Sequence, residues 1–110
     1  MVHITIYKTA NHDYLGFDVE GHAGLAEHGQ DVLCAAISML VINTVNAIER
    51  YTDDETTLVS DEESGLIQFR CVHIASHDAH LLLRAMILGL TSLEDVEAYV
   101  PYIDIIYEEV

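Results

Sequence analysis

A chain of 110 residues, 51% of them hydrophobic, is long enough to fold as one domain around a packed core. It carries 19 acidic residues against four basic ones, for a formal net charge of -15, so nucleic acids and anionic membrane surfaces would repel it. These two classes of ligand are therefore excluded, and a basic peptide or protein is the favoured partner, although the acidity could also serve solubility alone.

Two strands are predicted at the N-terminus, joined as a hairpin by a polar turn at residues 11–13. Apolar and polar residues alternate there with the period of two that is typical of half-buried strands. The apolar positions are Val2, Ile4, Ile6, Leu15, Phe17 and Val19.

Helical periodicity replaces the alternation from about residue 31 to residue 50. A second hairpin is predicted with strands at residues 56–60 and 66–72, and then a second helical region at about residues 77–99. We expect this helix to bend near residues 89–92, where Ser92 would restart it as a cap, and a last strand to follow at residues 102–107.

The predicted order of elements is β-β-α-β-β-α-β in a single domain over residues 1–110. This order favours an α+β two-layer sandwich, in which a largely antiparallel sheet carries both helices on one face. Met39 and Ile42 widen the apolar surface of the first helix. A homodimer formed through a helix would explain this width, and so would a stripe shared between the sheet and the second helix.

No apolar run is expected to reach the roughly 18 to 20 residues that a membrane span needs, and the N-terminus lacks the basic flank of a secretory signal. A cytoplasmic location is therefore predicted. The two cysteines, Cys34 and Cys71, are expected to be free thiols, and Cys71 alternates with Ile67 and Phe69 as a core residue does.

The strongest functional signal is a histidine and a cysteine that flank a glycine-containing segment, His22 and Cys34. Cys34 is expected in the first turn of the first helix, where the helix dipole and a nearby imidazole would favour the thiolate. Unpaired N–H groups at the helix start could then stabilise an oxyanion. By its residue type alone, however, a free cysteine is more often buried and structural.

Supporting roles are predicted for residues around this pair. Asp31 would either cap the helix, which we favour, or orient His22, and Ser38 would either hydrogen-bond near the thiol or bond back to the carbonyl of residue 34. The loop between the pair is expected to wrap the site or move when substrate binds. Candidate loop or substrate-binding residues are Gly21, Gly24, His28 and Gly29.

The segments Gly21-His22-Ala23 and Asp31-Val32-Leu33-Cys34-Ala35-Ala36-Ile37-Ser38, with Thr44-Val45-Asn46-Ala47-Ile48 beyond them, resemble the Prp family of ribosomal-processing cysteine proteases. The resemblance covers the whole chain in length and element order. It implies that His22 and Cys34 are the catalytic pair and that the loop between these two residues is mobile. It also implies that the protein is a homodimer. Val32-Leu33 stands where the family usually has isoleucine-valine, an apolar exchange that leaves this assignment intact.

The same resemblance implies a substrate. Members of the family remove a short N-terminal extension from a large-subunit ribosomal protein, after a hydrophobic and often aromatic stretch. Because a ribosomal protein tail is basic, an acidic protease would attract it. No cofactor is implied.

Two other functions compete with this interpretation. The chain could be a non-catalytic acidic module that binds a basic ribosomal segment, or a metal-binding protein that uses His73, His77 and His80. The sequence has neither a cysteine pair at zinc-site spacing nor a His-Glu-x-x-His motif, so we expect no native metal. The acidic runs at residues 53–55 and 61–63 are expected to be solvated turns that could also steer a cationic tail.

Overall fold

The computed structural model describes residues 1–21 and 30–110, with side chains from residue 32 onward in the second range. The predicted order of elements is confirmed, with one short 3₁₀ helix added before the last strand. The elements are β1 (Val2–Lys8), β2 (Tyr14–Glu20), α1 (Gln30–Tyr51), β3 (Thr56–Asp61), β4 (Leu66–Cys71), α2 (His77–Glu94), the 3₁₀ helix (Glu97–Tyr102) and β5 (Ile103–Glu109).

The five strands form one sheet in the order β3-β4-β2-β1-β5. Three of the four pairings are antiparallel, and β1 pairs with β5 in parallel. The two hairpins supply most of the antiparallel pairing, whereas β5 returns through α2 to lie beside β1, which requires a crossover. The largely antiparallel sheet of the prediction is therefore confirmed.

One face of the sheet and both helices share a single hydrophobic core. Alternate residues of the central strands point into it, as the period of two requires, and both helices add residues at helical spacing. Both helices therefore cover the same face of the sheet. The fully buried large side chains are Phe17, Phe69, Ile4, Ile6, Leu33, Ile48, Leu83, Met86, Leu90 and Val41.

Helix α1 contradicts the expectation about apolar runs. Val32–Tyr51 is 20 residues long with a mean hydropathy of 1.8, enough by length and composition alone to cross a membrane, and 33% of the window is buried inside the fold. Leu33, Val41 and Ile48 are completely buried among the strands and α2. The apolar length of α1 is therefore explained by its place as the core helix.

The predicted bend in α2 is wrong, because the helix continues unbroken to Glu94. Instead of capping a new helix, the Ser92 hydroxyl donates a hydrogen bond to the Leu88 carbonyl at 2.8 Å. At Gly89 the missing side chain makes room for Leu40 of α1, whose methyl groups would lie 2.9 Å from an added Cβ. The glycine thus serves the contact between the helices, not a kink.

The start of α2 is fixed by the acidic turn that follows α1. Ser76 caps the helix by accepting a hydrogen bond from the Ala79 N–H, and its own N–H donates to the Asp54 carboxylate at 2.8 Å. Burial raises the pKa of Asp54, but hydrogen bonds from Ser76 and Thr52 outweigh burial and bring that pKa below its ordinary value. This acidic turn is therefore part of the fold and is not merely solvated.

The opposite face of the sheet carries a polar cluster built around Gly16. Tyr7, Gly16 and Arg70 are neighbours in register on three adjacent strands. The Arg70 guanidinium lies 4.2 Å from the Tyr7 ring centroid and 2.8 Å from Oδ1 of Asp18. The other carboxylate oxygen of Asp18, Oδ2, accepts a 2.6 Å hydrogen bond from the Tyr7 hydroxyl. Because Gly16 has no side chain, Arg70 can reach across β2 to Tyr7.

We expect Gly16→Ala to lower the free energy of unfolding by about 2 kcal/mol or more. Gly16 has φ +152°, and a Cβ there would lie 2.1 Å from the Phe69 carbonyl oxygen, so the strand pairing itself must shift. Urea unfolding measures the change.

Gly89→Ala is the matched control, because its Cβ meets only the flexible end of Leu40 and alanine favours a helix. We expect this control to stay within about 1 kcal/mol of the wild type. Equal losses for the two variants would contradict the assigned role of Gly16.

Candidate active site

Cys34 is the fifth residue of α1, because the helix begins at Gln30. This corrects the expectation that the cysteine lies in the first turn, which assumed that Asp31 preceded the helix. The helix includes Gln30 as well, since glutamine is a better helix former than aspartate. The field of the helix dipole falls off within the first turn, so it favours the thiolate less than expected, and a neighbouring base matters more.

The side chain of Cys34 is half-buried and packs against the edge of the core. Its neighbours Leu33 and Ile37 are 0% and 3% exposed, so the core holds this part of α1 firmly. The other side of Cys34 lines a cavity of about 460 Å³. The thiol therefore has a fixed position and is open to a ligand in the cavity.

The cavity lies between α1 and the β3–β4 hairpin. Its floor and walls are mostly apolar, and its polar rim comes from Ser60, Asp61 and Glu62 at the hairpin end. Side chains of Asp61 and Ser64 brace this turn, since the Asp61 carboxylate accepts hydrogen bonds from the Glu63 N–H and the Ser64 hydroxyl. The lining residues from α1 are Cys34, Ile37, Ser38, Val41, Ile42, Val45 and Asn46.

Sequence reasoning missed the hairpin wall of this cavity. Leu58 and Ser60 of β3 face Cys34 across it, although they lie more than 20 residues along the chain. The apolar side chain of Leu58 is 52% exposed, and nothing in the sequence of its strand distinguishes the strand from others. No local pattern marks such a wall, because it depends on where the sheet places β3.

Gly21 links the cavity to the predicted histidine. Its N–H donates a 3.1 Å hydrogen bond to the Ser64 carbonyl, φ is +91°, and an added Cβ would lie 2.6 Å from the Met1 carbonyl oxygen. The positive φ and the close approach both require glycine here, and the hydrogen bond connects the end of β2 to the β3–β4 turn. His22 follows it directly in the chain.

Several predicted site residues lie outside the described residues: His22, Gly24, His28 and Gly29. The proximity of His22 to Cys34 stays a prediction. The backbone of Asp31 belongs to the first turn of α1, so this residue does not precede the helix as the favoured N-cap role requires. Its side chain lies outside the described residues, and the alternative role of orienting His22 stays a prediction.

Ser38 lies one turn after Cys34 and lines the same cavity. Its side chain is exposed, and among the described residues it forms neither of the two expected hydrogen bonds, to the carbonyl of residue 34 or near the thiol.

The three clustered histidines have separate surroundings. His77 contacts Asp78 at 3.1 Å, His80 stacks on Tyr14 with ring centroids 5.0 Å apart, and His73 lines a different pocket with Asp53 and its neighbours. Within residues 1–21 and 32–110, no group of three or more potential ligands is placed to hold a metal ion.

Cys71 is more deeply buried than Cys34. It is 8% exposed on β4, inside the core as predicted. Burial, together with the negative charge of Asp54, raises the pKa of the Cys71 thiol to about 11. It is consequently a poor nucleophile at neutral pH.

We expect iodoacetamide to alkylate Cys34 in the native protein and to leave Cys71 unmodified. Near pH 8, a pKa of about 11 leaves about one Cys71 thiol in a thousand ionised, and burial blocks the reagent as well. Peptide mapping by mass spectrometry gives the modified fraction at each position, and unfolding in urea should make both thiols reactive. Modification of Cys71 before Cys34 would contradict this assignment.

Comparison with known proteins gives related sequences over nearly the whole chain. The family model of the cysteine protease Prp matches residues 1–104. The ribosomal processing cysteine protease Prp of Bacillus subtilis (strain 168) is 34% identical over 98 residues, covering 86% of this chain and 88% of the relative. The protein of that name from Staphylococcus aureus (strain Mu50) is 32% identical over 94 residues, covering 84% and 89%.

Solved structures show the same fold. The essential ribosomal processing protease Prp from S. aureus, in complex with a covalently linked product peptide, matches with a TM-score of 0.88 at 28% identity. The match covers 98% of this chain and 100% of that one. Its complex with a substrate peptide matches with a TM-score of 0.88 at 26% identity and the same coverage.

Proposed function

We propose, since the chain belongs to the Prp family of cysteine proteases, that it removes the N-terminal extension of a basic large-subunit ribosomal protein during ribosome maturation. One observation supports this most directly. Of the two cysteines, Cys34 is half-buried and lines a cavity, whereas Cys71 is enclosed in the core. A cavity of about 460 Å³ with apolar walls has room for the hydrophobic side chains of a peptide.

The reaction uses Cys34 as nucleophile and His22 as general base. His22 takes the thiol proton, and the sulfur bonds to the scissile carbonyl carbon. The imidazolium then protonates the departing amine, which leaves an acyl-enzyme, and water releases the acyl group and restores the thiol. These two side chains and water complete the reaction, and neither a cofactor nor a metal takes part.

Charge supports a basic substrate. The formal net charge is -15, and the cavity rim itself carries Asp61 and Glu62. A field of this sign raises the rate at which a cationic tail arrives and opposes direct binding of nucleic acid or of an anionic membrane. We propose a cytoplasmic location, and the two free cysteines, which fit a reducing compartment, support it.

We expect Cys34→Ala and His22→Ala each to reduce cleavage by at least about 1,000-fold, because the nucleophile or its base is lost. The assay follows a synthetic peptide that carries the ribosomal extension and the basic residues after it, with products identified by mass spectrometry. Cys71→Ala is the matched control and should retain cleavage at a temperature where it stays folded.

Undiminished cleavage by Cys34→Ala would refute the proposed mechanism. Tight binding of the peptide by the wild-type protein without any cleavage would instead favour the acidic binding module.

We propose further that the protein is a homodimer whose interface includes the outer surface of the helix layer. Met39 of α1 and Leu88 of α2 are 69% and 70% exposed, beside the point where Leu40 packs on Gly89. Leu81, two turns before Leu88 on the same face of α2, is 53% exposed. Apolar side chains in such a patch are typical of a surface that a partner covers.

Sedimentation at micromolar concentration should show a dimer for the wild type and a monomer for Leu88→Glu, since a charge in an apolar interface is costly to bury. Val100→Glu alters a residue that is also exposed, at 55%, but lies on the 3₁₀ helix, and should leave the dimer intact. A monomeric wild type would remove the proposal.

A further inference from the structure

We infer that the substrate binds as an added strand on the open edge of β3, antiparallel or parallel to it, with alternate side chains directed into the Cys34 cavity. This inference rests on the proposed protease function and specifies how the basic peptide is held. β3 lies at one end of the sheet order β3-β4-β2-β1-β5. Among the described residues, β4 is the only strand that pairs with it.

The backbone groups that face this open edge can be identified from the register. Just beyond the paired strands, the Val72 N–H donates to the Glu55 carbonyl at 2.9 Å, so these two residues form a hydrogen-bonded pair. Bonded and non-bonded pairs alternate along antiparallel strands. Thr57 and Val59 therefore bond to β4, whereas Leu58 and Ser60 direct their N–H and C=O groups outward.

Leu58 and Ser60 are also the β3 residues whose side chains line the cavity. The same two residues thus offer free backbone hydrogen bonds to a strand and form the wall that the strand's inward side chains would meet. A strand paired here lies about 4.8 Å beyond β3. Ile42 and Asn46 of α1 lie across the cavity, so the inward side chains would pack between sheet and helix.

The strand β3 lacks the features that normally protect an edge strand. Its register with β4 is continuous, and it has neither a proline nor a charged residue before Asp61. Leu58 and Val59 are 52% and 54% exposed. The other edge, β5, is acidic at both ends with Asp104, Glu108 and Glu109. Since charges and prolines discourage strand addition, β3 is the receptive edge of the two.

The charges around β3 select the occupant. One acidic run, residues 53–55, precedes the strand, and another, residues 61–63, begins at its last residue. Asp61 and Glu62 line the cavity rim as well. An extended peptide with apolar residues at alternate positions and basic residues at its ends matches this surface, whereas a second copy of the acidic strand would meet like charges.

Amide hydrogen exchange tests the pairing without any need for cleavage. In Cys34→Ala, saturation with the extension peptide should slow exchange at the Leu58 and Ser60 amides by at least about tenfold. The Thr57 and Val59 amides serve as internal controls, because their bonds to β4 exist before the peptide binds. Unchanged exchange at both Leu58 and Ser60 would overturn the inference. Slowing that grows with protein concentration in the absence of peptide would also overturn it, in favour of pairing between two copies.

A scan of backbone N-methyl groups along the peptide gives the second test, with the wild-type enzyme. Every other position should raise KM by roughly fivefold or more, because a hydrogen bond to β3 is lost, and the positions between should change little. A scan without this alternation would overturn strand addition even if the peptide is cleaved normally. Failure to cleave the unmodified peptide would instead refute the protease function, and the exchange result would still decide how the peptide binds.

Discussion

The chemistry of this chain depends on how α1 divides its apolar residues between the core and the cavity. Leu33, Val41 and Ile48 are completely buried, and this burial fixes the rotation of the helix. The adjacent stripe, which includes Cys34 and Ser38, is then left at the edge of the core, facing the cavity. A thiol on the buried stripe would be enclosed as Cys71 is. The packing of one helix therefore determines which cysteine is accessible.

The second wall of the cavity depends on the sheet, and a few specific contacts hold it in place. The Gly21 N–H bond to the Ser64 carbonyl joins the end of β2 to the β3–β4 turn, at the residue that precedes the predicted catalytic histidine in the sequence. On the far face, Arg70 of β4 reaches over Gly16 to Tyr7 and Asp18. Hydrogen bonding to Asp18 raises the pKa of Tyr7, so the tyrosine stays a neutral donor. These contacts hold β4, and with it the hairpin, against the central strands.

The elements and the core could be predicted from the sequence, because each has a local pattern: period two in β1 and β2, and period 3.6 in α1. The reactivity of Cys34 and its pairing with His22 stay predictions, since His22 lies outside the described residues. The expectations that the structure corrects concern either the boundary of an element or a contact between residues far apart in the chain. One additional helical residue at Gln30 moved Cys34 out of the first turn. Gly89 was interpreted as a bend, but it serves a contact with Leu40, which is about fifty residues away in the chain. The hairpin wall, with Leu58, follows from strand order, which no local pattern encodes.

The acidic residues serve the fold as well as the net charge. Asp54 accepts hydrogen bonds at the start of α2, and Asp61 accepts them within the hairpin turn, so both are also needed for the fold. A charge of -15 still attracts cationic chains from a distance, but that field is screened within about 10 Å at moderate salt. Close to the cavity, orientation must come from fixed groups: the carboxylates at the rim, the apolar walls and the free backbone of β3. In the proposed mechanism, long-range attraction sets how often a basic chain arrives, and the local geometry sets which bond reaches Cys34.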